Sequence, residues 1–403
     1  MMKLRAGAGS VVLGLLLPTG AFAAFGTDNL QLRVGGGLRY DSNVFRLPDG
    51  VQAVTQNGSG RSDMIATVNA GGTVILPVSR QQFIFSADVT QAHYDKFTTL
   101  NFTGQDLRGL WRWEAGPWLT GDLGHTRSKY LVNFANSIGQ TPNVRTSDTT
   151  FFNANYPFHA NWTVNFGATE SRLTNSDAVN KLSDNDTSGR NLGLRYTTGL
   201  GNYLGVQGST LDSRFKQPFV SGGTAFDNSY DQTVVSAVAG WSPSPATRVQ
   251  GTLGRTRRDP KQAGRPQVSG TTGSLLGNWR PTAKTALNVE FSRDFGPAVD
   301  VITASSTATT LTIAPSYELT AKMTLLGTLR RQKRDYSDAI VPALVPGGQV
   351  RSDTLDTAGL VLVYTPLERV VVNVSATREE RKSNVGVLNY TVNSLSATVQ
   401  WAF

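Results

Sequence analysis

Cysteine is absent from the 403-residue chain, so neither a disulfide framework nor a thiolate metal site can form. Charge is sparse as well. Asp, Glu, Lys and Arg make up 17% of the residues, below the ~25% usual for soluble globular domains. Only three histidines occur, His93, His125 and His159. The spacings GxSxG, HExxH and GxxxxGK[ST], which mark nucleophile elbows, zinc proteases and phosphate loops, do not occur. No stretch reaches the roughly 18–20 apolar residues that a membrane-spanning helix needs. No window carries a convincing 3.6-residue apolar period. Glycine, by contrast, is abundant at 41 residues.

The first 23 residues read MMKLRAGAGSVVLGLLLPTGAFA. Lys3 and Arg5 precede a short apolar run from Val11 to Leu17, and the stretch closes on Ala21-Phe22-Ala23. A basic start, a short apolar middle and a small-x-small end describe a secretory leader cleaved after Ala23. Its removal takes two positive charges from the formal +9 of the whole chain and leaves residues 24–403 as a single domain.

That domain reads as strands throughout. ALNVEFS (286–292), TLTIAPSY (310–317), WTVNFGA (162–168) and VVVNVSAT (370–377) alternate apolar with polar side chains and are rich in β-branched and aromatic residues. Aromatics also recur at long range, at Trp113, Tyr156, Tyr196, Trp241, Trp279, Tyr317, Tyr364 and Phe403, with gaps of 38 to 47 residues. A short turn signal follows each of the first seven, for example SPSPA after Trp241 and ELTAK after Tyr317. Next comes another alternating strand, ending in a basic cluster marked by Arg127, Arg172, Arg214, Arg257, Arg293, Arg330 or Arg378. A longer polar stretch such as FKQPFVSGGTAFDNS (215–229) completes the unit.

Strand, tight turn, strand, long loop, with aromatics beside the tight turns, is the pattern of a transmembrane barrel of the outer-membrane type. Lipid cannot satisfy an open sheet edge, so a spanning sheet must close on itself. The final SATVQWAF (396–403) is then a closing strand that pairs with LQLRVGGGLRY (30–40), with Trp401 and Phe403 in the periplasmic aromatic girdle. A propeller shares a period near 42 residues, but its blade needs four short strands per repeat. At one hairpin per ~42 residues the chain beyond Ala23 holds about nine hairpins. The expectation is an all-β, up-and-down antiparallel barrel of about 18 strands, or 16 if one loop has been over-read.

Parity along each strand separates two faces. Leu287, Val289, Phe291 and Arg293 share one, as do Val370, Val372, Val374, Ala376 and Arg378, and Val249, Leu253 and Arg257. If the apolar positions face lipid, Arg257, Arg293 and Arg378 lie just past the apolar band, at the height of lipopolysaccharide phosphates. Simple snorkelling of rim cations is the plainer reading. Hydroxyls and amides dominate the opposite parity, with Arg33, Arg39, Glu290 and Arg330 as lumen charges. Such a wall suits a sugar polymer and an unselective aqueous pore equally. The basic balance does not call for nucleic acid, which a barrel in the outer membrane does not meet. Among the histidines, only His125, near Ser128, raises a catalytic question, and a nucleophile–base pair needs contact and a third orienting group. The reading is therefore of a non-enzyme that needs no cofactor and no metal.

One stretch carries a family resemblance. RYDSNVFRLPDG (39–50), with PVSRQQFIFSADVTQAHYDKF (77–97) in agreement, resembles the outer-membrane proteins called EpsL of exosortase/PEP-CTERM exopolysaccharide biosynthesis systems, and the wider β-barrel porin type-2 group. The resemblance implies a Gram-negative outer-membrane protein that helps export or secure exopolysaccharide, with that polymer and periplasmic export proteins as partners. It supplies no functional residues. A terminal Phe403 likewise resembles the signal read by the barrel-assembly machinery. The alternatives are a general diffusion porin and a non-conducting adhesive barrel that holds polymer at the cell surface.

Overall fold

A computed structural model describes residues 29–55, 58–136, 140–221, 223–297, 303–339 and 350–403. The expected leader over 1–23 lies outside the described residues. The strands in chain order are β1 (Leu30–Asp41), β2 (Ala53–Thr55), β3 (Gly58–Gly60), β4 (Asp63–Val78), β5 (Gln81–Tyr94), β6 (Phe102–Ala115), β7 (Leu119–Leu131) and β8 (Val144–His159). They continue as β9 (Trp162–Asn175), β10 (Asn185–Thr197), β11 (Tyr203–Phe215), β12 (Phe219–Ser221), β13 (Thr224–Phe226), β14 (Tyr230–Ser244) and β15 (Thr247–Pro260). The last seven are β16 (Val268–Trp279), β17 (Thr285–Pro297), β18 (Thr303–Thr320), β19 (Met323–Ala339), β20 (Ser352–Leu367), β21 (Val370–Ser383) and β22 (Tyr390–Ala402). Two short hairpins, β2–β3 and β12–β13, sit within long loops; all the others form one 18-stranded sheet.

That sheet is closed. β1 pairs antiparallel with β4 on one side and with β22 on the other, placing Val34 opposite Trp401, Leu38 opposite Ala397 and Asp41 opposite Ser394. Each remaining strand pairs with its neighbours in chain order, so the barrel has no free edge. Tight turns join strands at one end, such as 79–80 between β4 and β5 and 368–369 between β20 and β21. Gly201, at φ +81°, supplies the left-handed residue of the turn at 198–202. The long loops gather at the opposite end.

Register assigns the two faces without ambiguity. Ala237, Leu253, Gly273 and Arg293 are successive partners across β14 to β17, and Phe291, Leu311 and Arg331 across β17 to β19. This face carries the large apolar side chains, and they are exposed: Leu253 is 66% accessible and Trp401 52%. A water-soluble fold buries such residues; a continuous exposed belt of them fits a hydrocarbon surround. Trp111, Trp241, Trp279, Tyr317, Tyr364 and Trp401 lie on the same face near the short turns. The register shifts at Trp241/Ser244, Glu318/Thr320, Tyr364/Leu367 and Pro157/His159 all fall next to those turns. A bulge would reverse the faces beyond it; at the strand ends it leaves the belt intact.

Candidate functional site

The inner face is the candidate site, and its wall is built from small polar pairs. Thr149 meets Ser171 at 2.9 Å, Thr252 meets Ser274 at 3.0 Å, Thr256 meets Thr272 at 2.7 Å and Ser375 meets Ser396 at 2.6 Å. Asn278 donates to Asn288, and Gln332 Nε2 to Thr310 Oγ1 at 3.0 Å. Alternation explains the pattern, because residues adjacent to the outward apolar positions face inward in every strand. Each hydroxyl retains acceptor capacity toward the lumen.

Four sequence-expected lumen charges, Arg33, Arg39, Glu290 and Arg330, all lie on this inner face. Arg33 reaches across β4 to Asp88 on β5. Its Nε donates to Oδ1 at 2.7 Å, Nη2 donates to Oδ2, and Nη1 donates to Thr73 Oγ1 at 3.3 Å. Gly71 stands between the two in register, and a Cβ built there would lie 2.0 Å from Asp88 Oδ1. The missing side chain is what lets the bridge cross the strand. Arg39 pairs with Asp41 at 2.7 Å. Glu290 and Arg330 have no hydrogen-bond or ion-pair partner among the described residues.

At the long-loop end the chain folds inward. Phe45, from the loop after β1, packs against Phe97 at 4.8 Å and Phe134 at 4.7 Å between ring centroids. Val44, Ala53 and Leu100 join them, over the inward side chains of Ile65, Ala92 and Tyr94. Asp63 fixes this cluster by accepting from the backbone N–H groups of Lys96 at 3.0 Å and Phe97 at 2.9 Å. Arg381 on β21 donates from Nε to Leu388 O at 2.6 Å and from Nη1 to Ala135 O in the loop after β7. A loop from one side of the mouth is thus tied to a strand six places around the sheet.

The residues Asp41-Ser42-Asn43-Val44-Phe45-Arg46 organise that end. Asp41 accepts from Asn43 N–H at 2.9 Å and from Arg46 Nη1 at 3.0 Å. Asn43 accepts from Leu47 N–H at 2.9 Å and donates to Leu47 O at 2.8 Å and Thr391 O at 3.2 Å. Ser42 N–H donates to Asn393 O at 3.0 Å, and Asn393 N–H donates to Ser42 Oγ at 2.8 Å. The stretch therefore clasps the seam between the first and last strands. Burial opposes the charge on Arg46, but Asp41 and Glu379 outweigh it and raise its pKa above the ordinary value. Sequence reasoning singled out these residues as a motif yet assigned them no role. The signal was an apolar Val-Phe pair inside a polar loop.

The outer face carries a second charged feature above the apolar belt. Arg127, Asp148, Arg172, Asp186 and Arg214 are successive cross-strand partners on β7 to β11. Arg127 contacts Asp148 at 3.4 Å and Arg172 contacts Asp186 at 2.7 Å, while Arg214 turns to Asp212 at 2.8 Å. Of the three expected rim arginines, all outward, Arg257 is held by Asp259 at 2.9 Å and Arg293, among the described residues, bonds only Thr309, at 3.4 Å. Arg378 has no partner among the described residues. In the β19 unit the outward cation is Arg331, paired with Asp356 at 2.7 Å, and Arg330 faces the lumen instead. Trp401 and Phe403 stack at 5.6 Å at the short-turn end.

The histidines do not converge. His125 faces outward and bonds Thr150 at 2.9 Å, while Ser128, three residues on, has the opposite parity. His93 lies near the long-loop end of β5 and His159 at the short-turn end of β8. Among the described residues no group of three His, Asp or Glu is placed to hold a metal.

Residues 231–403 match the model of a family described as "Putative beta-barrel porin 2". No curated protein matches the sequence significantly. Among solved structures, Pseudomonas aeruginosa OccK2 (OpdF) is similar with a TM-score of 0.50 at 10% identity, covering 93% of this chain and 98% of that one. Its complex with glucuronate gives 0.50 at 11% identity, over 93% and 96%. Acinetobacter baumannii OccAB4 gives 0.50 at 8% identity, over 93% and 99%. The fold is that of a porin-like closed barrel.

Proposed function

We propose that this protein is an outer-membrane pore through which small hydrophilic solutes diffuse. The observation that carries the reading is a closed barrel with an apolar exterior and an inner wall of cross-strand hydroxyl and amide pairs. Water and polar solutes match that wall, and weak neutral contacts release what they bind. The family match over β14 to β22 and the porin-like fold support it. In this reading residues 1–23 export the chain and are removed, the short turns face the periplasm, and the long loops face outward. Purified barrel in planar bilayers should give steady ohmic conductance. A barrel that inserts yet passes no current would exclude the pore.

Export or surface retention of exopolysaccharide is the second reading. It is favoured by RYDSNVFRLPDG, the stretch that resembles EpsL, because those residues build the mouth and the seam clasp. Periplasmic export proteins would then be its partners. A deletion strain distinguishes the two: polymer displaced from the cell surface to the medium or the cell interior supports this role. Unchanged polymer with impaired uptake of small solutes supports the pore.

The outward arginines belong to the same picture. Arg293 and Arg378, paired with no carboxylate among the described residues, face lipopolysaccharide phosphates, with Arg257 more weakly engaged because Asp259 already holds it. Mass spectrometry of the purified barrel should find less co-purified lipid A in the double variant Arg293→Gln/Arg378→Gln, and no loss in Arg172→Gln, whose charge serves Asp186. Equal retention in all three would leave these arginines as plain rim cations.

A further inference from the structure

Five successive strands place one row of side chains on the lumen wall: Glu290 on β17, Thr312 on β18, Arg330 on β19, Thr357 on β20 and Glu379 on β21 are direct register partners. We propose that this row is a saccharide subsite that holds the hydroxyls of a neutral sugar about midway along the lumen.

A comparison within the same barrel shows why the row is more than an ion-pair ladder. On the outer face, opposite charges occupy adjacent strands and contact each other, as Arg172 and Asp186 do at 2.7 Å. In the lumen row each acid stands two strands from the arginine, a backbone separation of about 10 Å, with a threonine between. Neither Glu290 nor Glu379 comes within ion-pair distance of Arg330 among the described residues. Arg330 therefore offers its donors, and Glu290 both carboxylate oxygens, to whatever lies in the lumen. Glu379 Oε1 accepts from Tyr390 Oη–H at 2.8 Å and faces Arg46 Nε at 3.9 Å, which leaves its other oxygen. Thr357 Oγ1 is covered and has no hydrogen-bond partner among the described residues, so the row does not close on its own hydrogen bonds either. Arg334, on the same face nearer the mouth, is engaged with Gln332 at 3.2 Å.

The donor and acceptor pattern selects the ligand class. A simple anion would be drawn to Arg330 but repelled by a carboxylate on each side, and a simple cation meets the reverse. A sugar hydroxyl both donates and accepts, so one polyol can donate to Glu290 and Glu379 while accepting from Arg330. Hydrogen bonds to charged groups are the stronger kind. Glu379 is faced by Arg46 at 3.9 Å and Arg330 balances Glu290, so the row is close to neutral as it stands, and a neutral sugar fills it without adding an unpaired charge as a uronate would.

The subsite needs the pore reading only for its traffic, and the test separates the two. Full-length barrel in detergent is equilibrated by dialysis against maltotriose or glucuronate, and the same preparation is assayed for conductance in planar bilayers. Maltotriose should bind more tightly than glucuronate at neutral pH, and Arg330→Gln and Glu290→Gln should each weaken it about tenfold, the worth of one charged hydrogen bond. Glu290 is far from the mouth clasp, so its variant tests the site even if Arg330→Gln fails to fold, which heat-modifiability on a gel reports. Binding unchanged in both folded variants, preference for glucuronate, or conductance without maltotriose binding would each overturn the subsite. Binding that depends on Arg330 or Glu290 in a barrel that carries no current would sustain the subsite and overturn the pore.

Discussion

Gly71 shows how one missing side chain shapes the lumen. The Arg33–Asp88 bridge skips a strand, and only the absence of a Cβ at Gly71 leaves Asp88 room to lie across β4. Gly71→Val would displace Asp88 and strand the Arg33 guanidinium on the wall without its carboxylate. Overpacking of this kind typically costs about 1–3 kcal/mol. The expected result is a lower temperature of heat-modifiability and altered ion selectivity, with the barrel still formed. Gly36→Val places its new side chain on the outer face, in lipid, and should leave selectivity unchanged. Selectivity that also stays unchanged in Gly71→Val would mean the bridge does not face the conducting path. The sequence made Arg33 legible as a lumen charge through parity alone. It could not reveal Asp88 as its partner, because a contact that skips a strand obeys no local spacing.

Strands and loops differed in how much of them could be read. Alternation, tight turns and aromatic spacing are local, so the strands, the closing of β22 on β1 and the two faces follow from them. The inward-folded mouth does not, since Phe45, Phe97 and Phe134 come from three different loops and meet only once the barrel has formed. Arg330 marks the same limit: a basic cluster at a strand end locates the rim, but neighbouring Arg330 and Arg331 point to opposite sides. Phe45→Ala tests the loop as an element. Truncating a buried Phe removes about 3–5 kcal/mol where the surroundings cannot relax, and here the loop can swing away instead. Limited proteolysis should then cut within 42–62, and conductance should rise without loss of the heat-modifiable form. Protease resistance equal to wild type would show that Asp41, Asn43 and Arg46 hold the loop without the aromatic cluster.

At the scale of the molecule, closure determines whether anything else can work. The β1–β22 seam is held along its length by register pairs and at its two ends by different devices. At the long-loop end Ser42 and Asn43 bond β22 through Asn393 and Thr391. At the short-turn end Phe403 N–H donates to Leu32 O at 2.8 Å and Trp401 stacks on Phe403, while on the other edge of β22 Ala402 N–H donates to Arg369 O at 2.9 Å, in the turn before β21. Deleting Trp401 to Phe403 removes those rungs and the stacked aromatics together. Each backbone group left unpaired in lipid costs several kcal/mol, and no neighbouring strand can supply the missing partners. Assembly itself should therefore fail, with the chain accumulating before insertion or being degraded. A gel distinguishes this from a transport defect, since a folded barrel resists cold detergent and shifts only on boiling. The double substitution Trp401→Ala/Phe403→Ala, which keeps the backbone rungs, separates the two causes. If it assembles normally while the deletion does not, the rungs are decisive; if both fail, the aromatics are. A deleted chain that reaches the membrane at normal levels and still shifts on boiling would mean that the clasp at Ser42 and Asn43 closes the barrel without its short-turn end.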